Sequence, residues 1–108
     1  MTRTRLPHRR PALTIDTDWQ GHPLTVTIGM MPNGTPGEVF AQTAHGGQMQ
    51  DAIADACVLI SIALQHGVQP ADLAKSLGRV PHWANGVETD APASPVGTIL
   101  EVIKGEMR

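Results

Sequence analysis

Few residues in this chain are of a type that does chemistry, and their spacing limits what they can do. Cys57 is the single cysteine among 108 residues, so an intramolecular disulfide, a CxxC metal site and a redox pair are all excluded. It lies in the middle of an apolar stretch, where desolvation raises a thiol's pKa and makes it inert. The five histidines are His8, His22, His45, His66 and His82, and no two share a metal-ligand spacing on one helix. Ser61 has no base partner in view, so no nucleophile is assigned and no catalytic or metal-ligating residue is expected. Two features invite a ligand. His45-Gly46-Gly47 precedes a helix, and a glycine turn at a helix N-terminus exposes N–H groups that hold phosphate. The alternative is an ordinary sheet-to-helix turn, which is the favoured account. Glu38 stands beside Gly37 at a strand start, where it either serves the local backbone, the favoured role, or lines a pocket with Thr25 or Thr27.

The elements that must position these residues are legible in the periodicity. Leu13, Ile15 and Thr17 alternate with polar residues and predict a strand, followed by a Gln20-Gly21 turn. Leu24, Val26 and Ile28 alternate with Thr25 and Thr27, a β-branched strand with one apolar face. Asn33-Gly34 suits a tight turn, and residues 38–43 make a third strand, with Phe40 opposite Val39 and Ala41. From Gln48, apolar residues at three- and four-residue intervals predict a long helix, with Asp51 in its first turn, His66 near its C-terminus and Gly67 just past its end. Pro70 opens a second helix that Gly78 stops. Residues 79–93 read as a Pro/Gly/Ala-rich loop, and Ser94-Pro95 caps a third helix. Trp19 and Trp83 are taken as core or interface anchors. The fold class is therefore α+β: a three-stranded antiparallel β-meander packed on one face by a long apolar helix and two shorter helices.

Composition sets further bounds. A hydrophobic content of 41% with 17% charged residues describes a globular chain with one core. With 3% aromatics there is no stacking platform for single-stranded nucleic acid. No apolar run is expected to reach the roughly 18 residues of a membrane span. The cysteine usage makes a cytoplasmic location the default. Of the eight basic residues, Arg3, Arg5, Arg9 and Arg10 lie in the first ten positions. The rest of the chain holds four basic against ten acidic residues, a balance of −6 that repels phosphate backbones. The chain divides into residues 1–10, read as a disordered basic arm, and residues 11–108, read as one domain. Nucleic acid or an acidic partner is expected, if anywhere, only at that arm.

The order of these signals resembles the TSCPD domain family over about residues 10–103. The matching residues are Arg10-Pro11, Leu24 to Gly29, Gly34-Thr35-Pro36-Gly37-Glu38-Val39-Phe40, Gly46-Gly47, Leu59-Ile60-Ser61, Leu64 to Gly67, and Ser94-Pro95. The resemblance implies an accessory terminal domain of vitamin B12-dependent ribonucleotide reductases, or one of its short stand-alone relatives. The family's name comes from a Thr-Ser-Cys-Pro-Asp stretch. The corresponding region here is Ala93-Ser94-Pro95-Val96-Gly97, which lacks the cysteine and the aspartate. One cysteine also cannot supply both a thiyl radical and a redox pair, so the chain is not itself a reductase.

Three functions follow as expectations. The leading one is a non-catalytic accessory or regulatory binding module linked to deoxyribonucleotide supply, with self-association as a homodimer and a ribonucleotide reductase subunit as partner. The second is a small-molecule binder for a nucleotide or phosphate, using Glu38, His45, Gly46, Gly47, Thr25 and Thr27. The third is an enzyme of unrecognised chemistry, and it is the weakest because no acid–base or nucleophile pair is identified. No cofactor is expected.

Overall fold

A computed structural model describes residues 11–44 and 46–107; the basic arm and His45 lie outside the described residues. Three strands, β1 (Ala12–Trp19), β2 (His22–Met30) and β3 (Pro36–Thr43), form an antiparallel sheet in the order β1-β2-β3. This is the expected meander. Gln20 and Gly21 both have positive φ, so β1 and β2 are joined by the two-residue turn that matches strand twist. The turn puts Trp19 opposite His22, and their rings stack with centroids 5.5 Å apart. Between β2 and β3, the Asn33 side chain accepts hydrogen bonds from the N–H and hydroxyl of Thr35, and Gly34 takes φ 86°.

Helix α1 (Gly47–Gln65) follows β3 directly. Its end is a Schellman motif: Val68 N–H bonds to the Ala63 carbonyl and Gly67 N–H to Leu64, with Gly67 at φ 86°. His66 is the C-cap, and its ring Nδ1 lies 2.8 Å from the Ile62 carbonyl. The first turn contains no acidic residue: with the helix starting at Gly47, Asp51 falls just beyond it. Helix α2 is only Pro70–Ala74, shorter than a helix running up to Gly78, because the chain turns at Leu77 and enters a strand. Helix α3 (Pro95–Glu106) starts as the sequence indicates, with Ser94 Oγ accepting from Gly97 N–H at 3.2 Å and Pro95 in the first turn.

Residues 79–93 are not a loop. Strands β4 (Arg79–Ala84) and β5 (Val87–Pro92) pair antiparallel in a second, two-stranded sheet. Asn85 and Gly86, at φ 52° and 76°, make the same kind of two-residue turn as Gln20-Gly21. Most of the hairpin is exposed, and Trp83, at 65%, is not a core residue. Trp19 is packed against the core, and its indole N–H donates to the Pro92 carbonyl at 3.3 Å, tying the hairpin base to the main sheet.

The core lies between the sheet and the helices. Leu24, Val26, Ile28, Val39 and Ala41 come from the sheet, Ile53, Cys57, Ile60 and Leu64 from α1, and Ile99, Leu100 and Ile103 from α3. Each of the valine, isoleucine and leucine side chains contributes about 1.5–3 kcal/mol on burial. Helix α1 lies along β3, α3 crosses β1 and β2, and α2 packs on α3. Contrary to the sequence expectation, α1 is long and apolar enough to cross a membrane by length and composition alone. One side of it packs on β3 and the core, through Ile53, Cys57, Ile60 and Leu64.

Candidate functional site

The free edge of β3 is where the polar residues of α1 converge. An edge strand presents alternate N–H and C=O groups with no strand to receive them. In β3 these belong to Gly37, Val39, Ala41 and Thr43, and α1 meets each of them. Gln65 Nε2 donates to the Gly37 carbonyl at 2.7 Å. Val39 N–H donates to Ser61 Oγ at 3.0 Å, and that hydroxyl donates to the Cys57 carbonyl at 2.8 Å. Ala41 N–H reaches the Cys57 sulfur. Gln50 closes the row, donating to the Ala41 carbonyl at 3.1 Å and accepting from Thr43 N–H at 2.7 Å. The spacing makes this possible. Four residues of helix advance about 6 Å and two of strand about 6.6 Å, so Cys57, Ser61 and Gln65 step along α1 in time with Ala41, Val39 and Gly37.

This row defines what Ser61 and Cys57 do. Ser61 is fully buried and both its hydrogen-bonding directions are used by backbone. Cys57 is buried, and burial pushes its thiol up to about 11, against a smaller opposing effect of the Ala41 N–H. A thiol held in that state is not a nucleophile near neutral pH. Gln50, Ser61 and Gln65 were not singled out as binding residues by sequence. The signal is Gln50, Ser61 and Gln65 at eleven- and four-residue intervals, which places them on one side of the helix.

The sequence candidates fall in two groups on opposite sides of the sheet. Thr25, Thr27 and Glu38 share the face turned away from the helices, as strand alternation requires. There Thr25 donates to Asp16 at 3.0 Å and Thr27 lies 3.3 Å from the Thr14 hydroxyl, both ordinary cross-strand pairs. Glu38 faces Gly29 across the ladder and is 4% exposed. Gly46 and Gly47 instead lead into the helix layer, with φ of 65° and 81°, values that favour glycine. Gly46 N–H donates to Thr43 Oγ1 at 3.0 Å, while the start of α1 has no side-chain cap. Among the described residues no group of three or more His, Cys, Asp or Glu side chains could hold a metal ion. An open groove of about 310 Å³ runs between β3 and α1, lined by Phe40, Gln42, Gln50, Ala54, Cys57 and Val58 among others.

The arrangement is that of a small α+β domain whose reactive side chains hold its own backbone. The sequence matches the family profile of the TSCPD domain over residues 2–104, and the chain belongs to that family. It is also 39% identical over 67 residues to a vitamin B12-dependent ribonucleotide reductase of Rhodopirellula baltica. That match covers 61% of this chain and 6% of the relative's length. No solved structure matches the chain. The Ala93–Gly97 segment holds the N-terminus of α3. Ser94 is its cap, and Gly97 is required there because a Cβ would lie 2.9 Å from Pro92 Cβ.

Proposed function

We propose that this chain is a non-catalytic accessory module that acts by binding, in association with a ribonucleotide reductase and so with deoxyribonucleotide supply. The observation that carries the reading is the β3 edge: Ser61 and Cys57, the two side chains best suited to nucleophilic chemistry, are buried and bonded to backbone. The family and the reductase relative point to the partner. A cytoplasmic setting is part of the same reading. Affinity capture with the full chain from its native host tests it. Recovery of a reductase subunit supports the accessory role, and repeated capture without one removes it.

A second reading, nucleotide or phosphate binding, is favoured by the uncapped N-terminus of α1 after Gly46-Gly47. Ligand that binds only the native state raises the melting temperature with its concentration. A thermal-shift series with inorganic phosphate and the common nucleotides therefore decides it, and a flat series sinks it.

A further inference from the structure

Helix α1 is as apolar as a membrane-crossing helix, yet only 28% of its most apolar window is buried within the domain. Its inward stripe is accounted for by the core and the β3 edge. The outward stripe is Ala52, Asp55, Leu59, Ile62 and His66, recurring at alternating three- and four-residue intervals. That alternation is the repeat of a helix that packs along another helix. Leu59 is 68% exposed at its centre and stands on the rim of an apolar groove of about 190 Å³ shared with α2 and α3.

We propose that this stripe is a homodimer interface, in which α1 pairs antiparallel with α1 of a second copy about a two-fold axis between Leu59 and Ile62. Charge complementarity selects the occupant and the direction. In that register Leu59 meets the partner's Ile62, and Asp55 meets the partner's His66, each contact occurring twice by symmetry. His66 Nδ1–H donates to the Ile62 carbonyl of its own helix, so Nε2 is the ring atom turned outward, and it carries a proton for the partner's Asp55 in the imidazolium form. A parallel pairing would instead set Asp55 against its own copy, which is repulsive. The sheet edges do not compete. The β3 edge is occupied by α1, and β1 carries Asp16 and Asp18, which a two-fold pairing of β1 with itself would bring together.

This inference deepens the binding-module reading by naming one partner of the module. Its test is sedimentation equilibrium of the full chain across a micromolar concentration series. The wild type is expected to approach twice the monomer mass. Leu59→Asp, at an exposed position, is expected to give a monomer with an unchanged helical spectrum. Asp55→Lys is expected to raise the dissociation constant about tenfold or more. Asp55→Lys combined with His66→Glu is expected to restore it. A monomeric wild type overturns the pairing, as does a dimer indifferent to both Leu59→Asp and Asp55→Lys. A dimer that captures no reductase keeps the interface and removes the accessory reading. A monomeric wild type that captures a reductase does the reverse.

Discussion

Ser61 Oγ gives the Val39 N–H its partner at the β3 edge, in a place with no access to water. Ser61→Ala leaves that donor buried and unsatisfied, at a cost of about 1–3 kcal/mol. For a domain of this length about 1 kcal/mol lowers the melting temperature by roughly 4–8 °C. A circular dichroism melt is therefore expected to show a drop of at least that size, and an unchanged melt would remove Ser61 from the edge. Cys57 gives a pH prediction. Its thiol titrates near 11 in the folded protein against 9.0 for the free group, chiefly because it is buried. The folded state thus holds the proton where the unfolded state releases it. The associated stability is whole below about pH 9 and is lost as pH rises toward 11. Native protein at pH 8 should resist thiol alkylation and react on unfolding, and rapid native alkylation would contradict the burial. These roles were only half legible beforehand. The buried thiol follows from its apolar neighbours, whereas the bonds of Gln50, Ser61 and Gln65 to β3 depend on α1 lying antiparallel along that strand, which periodicity does not report.

The β4–β5 hairpin is held by its base. Ala93 N–H bonds to the Gly78 carbonyl, and Arg79 reaches Asp90 at 2.7 Å and Glu101 of α3 at 2.8 Å. Arg79 holds the Asp90 carboxyl below its ordinary range, first through the hydrogen bond and then through its charge. The direction of the shift makes this contact present at neutral pH and lost in acid as Asp90 is protonated. All three groups are partly exposed, so the contribution to global stability is small. A lone two-stranded hairpin is marginal by itself, so the effect should be local. Arg79→Met is expected to speed amide exchange in β4 and β5 while leaving the main sheet's protection unchanged. Uniform loss of protection would show the hairpin to be part of the core instead. This is also the element that patterning misses. Pro81 and Pro92 interrupt the strands, and exposure on both faces removes the apolar alternation that marks β1 to β3. The Asn85-Gly86 dipeptide is the signal present, equivalent to Gln20-Gly21, with positive φ at both residues of each turn.

At the scale of the molecule, charge separates what the domain can bind from what it cannot. Among the described residues the lysines and arginines are Lys75, Arg79 and Lys104, and each lies within ion-pair distance of a carboxylate: Asp72, Asp90 with Glu101, and Glu101. Asp16, Asp18, Asp51 and Asp55 add to an excess of acid on β1 and α1. A phosphate backbone approaching this body meets net repulsion, and nucleic-acid affinity rests on phosphate neutralisation with its accompanying release of counterions. Any such affinity must then come from the four arginines of residues 1–10. It would be steeply salt-dependent, falling by orders of magnitude between low and physiological ionic strength. Fluorescence anisotropy with a single-stranded oligonucleotide should show no saturable binding near physiological salt. Weak binding at low salt should vanish when Arg3, Arg5, Arg9 and Arg10 are replaced by glutamine. Salt-resistant binding that survives those replacements would mean that the acidic body holds a nucleic-acid site, and the case for a protein-binding module would fail with it.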